Sequence, residues 1–229
     1  MYRVPVLAAL ALLSACAATP RVATAPAPAT PPVPMRAGPP APPDGAAPNL
    51  SIPARLADGG YATPNRDLSP AGAVWHLRAA FNVAALNCPD PMLAQAYNRL
   101  LTAHRETLAT AHRRLAAEYG GADRFDPAMT RLYNYFAQPP AAAGFCAVAA
   151  PLLREAASLP AGQFAAFAPT AIAAIDRPFT AFYARYDDWR IAVAAWRRGE
   201  SGPPQLAYDT AVFVADAVVT GGREVTAAR

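Results

Sequence analysis

Apolar residues recur at helical spacing through the middle of the chain. Val74, Leu77, Phe81 and Ala84 share one face of a run opened by Ser69-Pro70, an N-cap followed by proline at the first helical position. That run ends near Asn87. Asp90-Pro91 opens a second helix, whose stripe joins Leu93, Tyr97, Leu100, Leu101, His104, Leu108, Ala111, Leu115 and Tyr119. Gly120-Gly121 stops it. Asp126-Pro127 predicts a third helix, with Met129, Leu132, Tyr133 and Phe136 inward and Pro139-Pro140 at its end. Pro140 starts a fourth, carrying Phe145, Val148, Leu152 and Leu153, and Pro151 should kink it. Residues 160–200 also read as helical, punctuated by Pro160, Pro169 and Pro178. Phe179, Phe182, Tyr183, Tyr186, Trp189 and Trp196 give this part its packing weight. In residues 205–220, Tyr208, Val212, Ala215 and Val219 fit a helix face, although the valines favour a strand. The expectation is an all-α fold: one irregular helical bundle over residues 69–200, with 201–229 as a C-terminal extension holding one further helix.

The pattern is absent before residue 69. Residues 20–53 hold twelve prolines among Ala, Thr and Val. Proline removes backbone donors and fixes φ, so the tract is expected as extended polyproline II at ~3.1 Å per residue. Residues 16–68 are therefore expected as a disordered Pro/Ala-rich tether that lifts the domain away from its anchor.

The first residues read differently again. Arg3 precedes an apolar stretch from Val4 to Leu13, far short of the roughly 20 residues that span a bilayer. Residues 1–15 are expected as a signal peptide. It ends in Leu13-Ser14-Ala15-Cys16, which resembles the lipobox of bacterial lipoproteins at all four positions. The resemblance implies cleavage after Ala15, lipidation of Cys16, and contact with a membrane through that lipid. Ala15-Cys16-Ala17 also satisfies the A-x-A pattern of an ordinary secretory peptide. Ala17 stands where an inner-membrane retention signal would place aspartate. By that sorting rule the lipoprotein faces the periplasm from the outer membrane.

Charge excludes several functions. Formal net charge is +4, and the arginines are spread along the chain. Only Arg113-Arg114 and Arg197-Arg198 are doublets, so no basic stripe for nucleic acid exists. All 20 basic residues are arginine. Schiff-base chemistry and a phosphate-binding GK[ST] loop both need lysine and are excluded. No motif calls for a cofactor.

Once Cys16 is given to lipid, Cys88 and Cys146 remain. Two cysteines in an oxidising compartment usually pair, and no CxxC exists. The expectation is a structural disulfide; buried thiols or a redox or metal pair are the alternatives. The spacing from Asn87-Cys88 through Tyr97-Asn98, Leu101, His104 and Leu108 to Arg131-Leu132-Tyr133-Asn134 and Phe145-Cys146 is similar to a group of exported alphaproteobacterial proteins of unknown function. That resemblance covers about residues 74–160 and carries no activity.

Candidate chemistry is thin. His104 and His112 lie eight residues apart on the predicted helix, ~12 Å at 1.5 Å per residue, too far for one metal. His104 is expected as a hydrogen-bonded core histidine and His112 as exposed; with His76 they give no metal site. No serine sits in a GxSxG elbow; Gly199-Glu200-Ser201-Gly202 is the nearest approach. Glu106 and Glu155 are the helix-borne acids that an envelope hydrolase would use, named by elimination. Arg114 and Glu118 are expected as a helix-surface pair. The functional expectation is a membrane-anchored, non-catalytic structural, assembly or binding factor whose partners are envelope proteins or cell wall. The alternative is an envelope hydrolase acting on cell-wall polymer. The two differ in one feature: a hydrolase needs a groove with a buried carboxylate, a binder an exposed apolar or aromatic patch.

Overall fold

The computed structural model describes residues 38–200. The expected signal peptide and lipidated Cys16, the expected tether up to residue 37 and the extension 201–229 lie outside the described residues. Among the described residues the chain forms six α-helices and is an all-α bundle, as the pattern predicts.

The first helix, α1 (Pro70–Asn87), is the axis of the bundle and packs against every other helix. Ser69 caps it by accepting from the Gly72 amide at 2.9 Å. Eleven of its residues are buried, so its sequence is apolar nearly all round. The turn at Cys88 leads into α2 (Met92–Ala103) and α3 (Arg105–Glu118).

The long second helix of the prediction is thus two. The break falls at His104 (φ −113°, ψ 20°). Its imidazole reaches sideways to the Ala156 carbonyl, with Nε2 at 2.9 Å, and stacks on Phe164. His104 is 1% exposed and hydrogen-bonded, the core histidine the stripe implied. The stripe itself is buried on both sides of the break.

The fourth helix, α4 (Ala122–Phe136), starts ahead of Asp126-Pro127, and Pro127 lies inside it. The earlier start has a packing reason. It buries Phe125 against His112 and Tyr119, at ring separations of 5.2 and 5.9 Å. A single 3-10 turn at Pro139–Ala141 precedes α5 (Ala142–Ala156), which continues through Pro151.

The last described helix, α6 (Phe164–Arg198), runs 35 residues through Pro169 and Pro178. Each proline removes one ladder bond. The buried stripe of Phe164, Ile172, Ile175, Phe179, Phe182, Tyr183 and Tyr186 offsets that cost by packing on α1 and α5. Gly144 of α5 lets the helices approach closely at Pro178; a Cβ there would stand 3.2 Å from Pro178 Cβ.

Cys88 and Cys146 form the expected disulfide, with Cα atoms 5.5 Å apart. It ties the α1–α2 turn to α5. Asp90 and Arg154 form an ion pair beside it.

The expectation of a tether through residue 68 needs correction. Residues 38–68 are laid along the domain as a strap. Trp189 Nε1 donates to the Pro40 carbonyl at 2.9 Å, and Arg185 pairs with Asp44 at 2.5 Å. Tyr186 Oη donates to Ala47 O and accepts from the Leu50 amide, at 2.8 and 2.9 Å. Arg190 donates to Leu50 O and lies over the Tyr186 ring. These α6 positions recur every three or four residues, so one helix face holds the strap from Pro40 to Leu50. Between Ala54 and Ala62 the strap folds back at an antiparallel bridge, Arg55 to Tyr61. Few large apolar side chains are needed, because the proline-rich strand satisfies its carbonyls on aromatic hydroxyl and indole donors.

Candidate functional site

Where the strap returns to the bundle, it meets a carboxylate. Asp176 lies on α6, half-buried among apolar neighbours. Three donors converge on it. Thr63 Oγ1 reaches Oδ2 at 2.9 Å; Asn65 Nδ2 and Tyr135 Oη reach Oδ1 at 2.6 and 2.7 Å. Strap, α4 and α6 are thereby joined at one residue. Asn65 extends the chain of bonds, its Oδ1 standing 3.0 Å from His76 Nδ1 on α1.

His76 is 2% exposed, and its Nε2 has no partner among the described residues. Burial lowers its pKa to about 4, so the ring is neutral at pH 7. A neutral ring with one proton suits this place. Nδ1–H donates to Asn65, and the orphaned Nε2 is left as a lone pair rather than a buried N–H.

Tyrosines form the layer above. Burial first, and then the Asp176 charge, push the Tyr135 hydroxyl far above the usual tyrosine range. Tyr183 is pushed up to about 12 by burial and exchanges hydrogen bonds with Gln138. Tyr61 is raised to about 12 by burial and by its bond to Asp187 at 2.8 Å. All three hydroxyls are therefore protonated donors in neutral solution.

Over this layer lies an open groove of about 600 Å³. The strap, from Leu50 to Pro53 and from Ala62 to Pro64, makes one wall. Arg131, Asn134, Tyr135 and Gln138, from α4 and the turn after it, make the other, and Tyr183 contributes from α6. Arg131 is the groove's single charged side chain; it is exposed, and no ion pair holds it among the described residues. Tyr135 and Thr63, which line the groove, both donate to Asp176, which does not line it. Asp176 is thereby held as the shared acceptor that joins strap, α4 and α6 under the groove.

The residues singled out in the sequence are scattered around this site. Glu106 and Glu155 are both exposed, on α3 and α5. Glu106 and Arg114 line a separate cleft of about 350 Å³ at the start of α1. Glu118 makes no ion pair with Arg114 among the described residues; its carboxylate accepts from Ser69 Oγ, the N-cap of α1, at 2.8 Å. His112 is exposed but sits between the Trp75 and Phe125 rings. Arg113-Arg114 lies on the exposed face of α3, and Arg198 pairs with Glu200 at the end of α6. Trp189 holds the strap. The disulfide borders an apolar hollow of about 470 Å³, with Leu86 (75% exposed) and Met92 (55%) nearby in sequence.

Thr63, Asn65, Tyr135 and Asp176 were missed in the sequence, and His76 was considered there only as a metal ligand. One signal existed. Between Phe164 and Ala184 the only charged residues are Asp176 and Arg177, so an acid inside an apolar stripe asks for buried donors.

Compared with family models, curated proteins and solved structures, the chain matches none.

Proposed function

We propose that the protein is an envelope lipoprotein, anchored through Cys16, that works by binding rather than by catalysis, and that its partner occupies the groove between strap and α4. The observation that carries the reading is the locking of the groove's floor. Tyr135 is fixed by Asp176 and Tyr183 by Gln138 before any ligand arrives. Such preorganisation lowers the ordering cost of association. The lipobox at Leu13-Ser14-Ala15-Cys16 supports the anchor, and Ala17 supports an outer-membrane site facing the periplasm. Residues 17–37 then make the spacer, and the strap sets the groove's wall.

The test is site-specific photo-crosslinking in the envelope. A photoreactive residue replacing Asn134 on the groove's rim should capture an envelope protein or cell-wall fragment. The same residue replacing Arg99, a position outside the groove, should not. Equal capture from both positions, or none from Asn134, rejects the groove as the working surface.

A further inference from the structure

The groove's own chemistry names its occupant. We infer that it binds a short extended peptide ending in a free carboxylate, of the kind carried by the peptide stems of cell wall. The inference rests on the binding role proposed above and specifies the ligand.

Three observations point the same way. Ser51 and Ile52 line the groove, and their main-chain groups make no hydrogen bond among the described residues. An extended segment with unpaired main-chain groups can bind a second extended segment beside it. Leu50 N–H and C=O are already held by Tyr186 and Arg190, and Pro53 has no N–H, so Ser51 and Ile52 are the stretch of wall free to pair. Arg131 lines the same groove as its only charge and lacks an ion-pair partner among the described residues. A guanidinium matches a carboxylate in planar, two-bond geometry, so Arg131 takes the peptide's terminus. The Asn134 amide, both donor and acceptor, suits a peptide bond of the ligand.

The experiment uses the full chain purified from membranes in detergent. The probe is N-acetyl Ala-Glu-Ala-Ala, titrated as the free acid and as the C-terminal amide. The acid should bind at least tenfold more tightly than the amide. Arg131→Ala should bring the acid down to the amide's affinity, while Arg131→Lys should keep part of the preference. Circular dichroism checks that both variants stay folded. The chain should co-sediment with intact cell wall and not with glycan strands stripped of their peptides. Acid and amide binding alike, Arg131→Ala leaving the preference intact, or equal sedimentation with stripped glycan would each overturn the inference. If Asn134 crosslinks to an envelope component without a peptide carboxylate, the ligand assignment falls and the binding role stands. If Asn134 captures nothing while the free acid still binds through Arg131, the peptide site stands and the envelope partner proposed for the groove falls.

Discussion

Trp189 donates its indole N–H to the carbonyl of Pro40, 149 positions earlier in the chain. Proline carbonyls are good acceptors and a proline strand has no ladder of its own, so an aromatic donor on a helix is enough to hold it. The strap adds to this the Tyr186, Arg190 and Asp187 bonds and the burial of Ala46 and Tyr61. A chain beginning at residue 69 should therefore be destabilised against one beginning at residue 38, by several kcal/mol at about 1 kcal/mol per hydrogen bond plus the lost apolar burial. Urea midpoints compare the two. Equal midpoints would mean that the strap contributes nothing to the fold.

His76 makes stability depend on pH. Its ring titrates near 6.5 when unfolded and near 4 when buried. Below pH 6.5 the unfolded chain takes up a proton that the folded chain refuses. The contribution is thus complete above pH 6.5 and is lost as pH falls toward 4, to a total of roughly 3 kcal/mol. The urea midpoint of the wild type should fall between pH 7 and pH 4.5. His76→Gln should be less stable at pH 7 and should show a shallower fall. A variant with the same slope would place the titration elsewhere.

The helices were legible because capping and periodicity are local. Ser69-Pro70 opens α1 and Asn87 closes it where the pattern places them. The cysteine pair was legible from count, once an exported chain with Cys16 given to lipid was expected. What the pattern missed depends on partners distant in sequence. The His104 break follows from a carbonyl 52 residues away. Phe125 pulls the start of α4 back, and α6 absorbs two prolines because its aromatic stripe is buried on both sides of them. The strap was invisible for a deeper reason. Composition reports the side chains that a segment brings, and this one is held by donors that α6 brings. The groove inherits that blindness, since the strap is one of its walls.

The disulfide closes residues 58 apart in sequence. In the chain-entropy description such a loop stabilises by about 4 kcal/mol. Cys88→Ala with Cys146→Ala should lower the urea midpoint accordingly, and reductant should do the same to the wild type while leaving the double variant unaffected. Equal sensitivity of both to reductant would contradict a structural role for this bond.

Lipidation of Cys16 is checked at the membrane. Mass spectrometry of the mature N-terminus should find an acylated Cys16, and Cys16→Ser should leave precursor or protein released from the membrane. An unmodified N-terminus beginning after Ala17 would identify an ordinary secretory leader in its place.

The last prediction concerns the join at Asp176. Tyr135, Thr63 and Asn65 all donate to this carboxylate, so its removal leaves three donors without an acceptor. Stranded buried donors cost about 1–3 kcal/mol each, whereas removing one hydroxyl strands none and leaves the acceptor with two partners. Asp176→Ala should therefore destabilise the fold by more than 3 kcal/mol, and Tyr135→Phe by about 1–2 kcal/mol. The two changes should not add. Once the carboxylate is gone, the tyrosine hydroxyl is itself a liability, and Tyr135→Phe in the Asp176→Ala background should cost little or even restore stability. Thr63→Val should behave in the same way. A double-mutant cycle by urea denaturation reads this coupling directly. Simple additivity would show that the strap and α4 reach α6 independently, and that the groove floor is not held through one carboxylate.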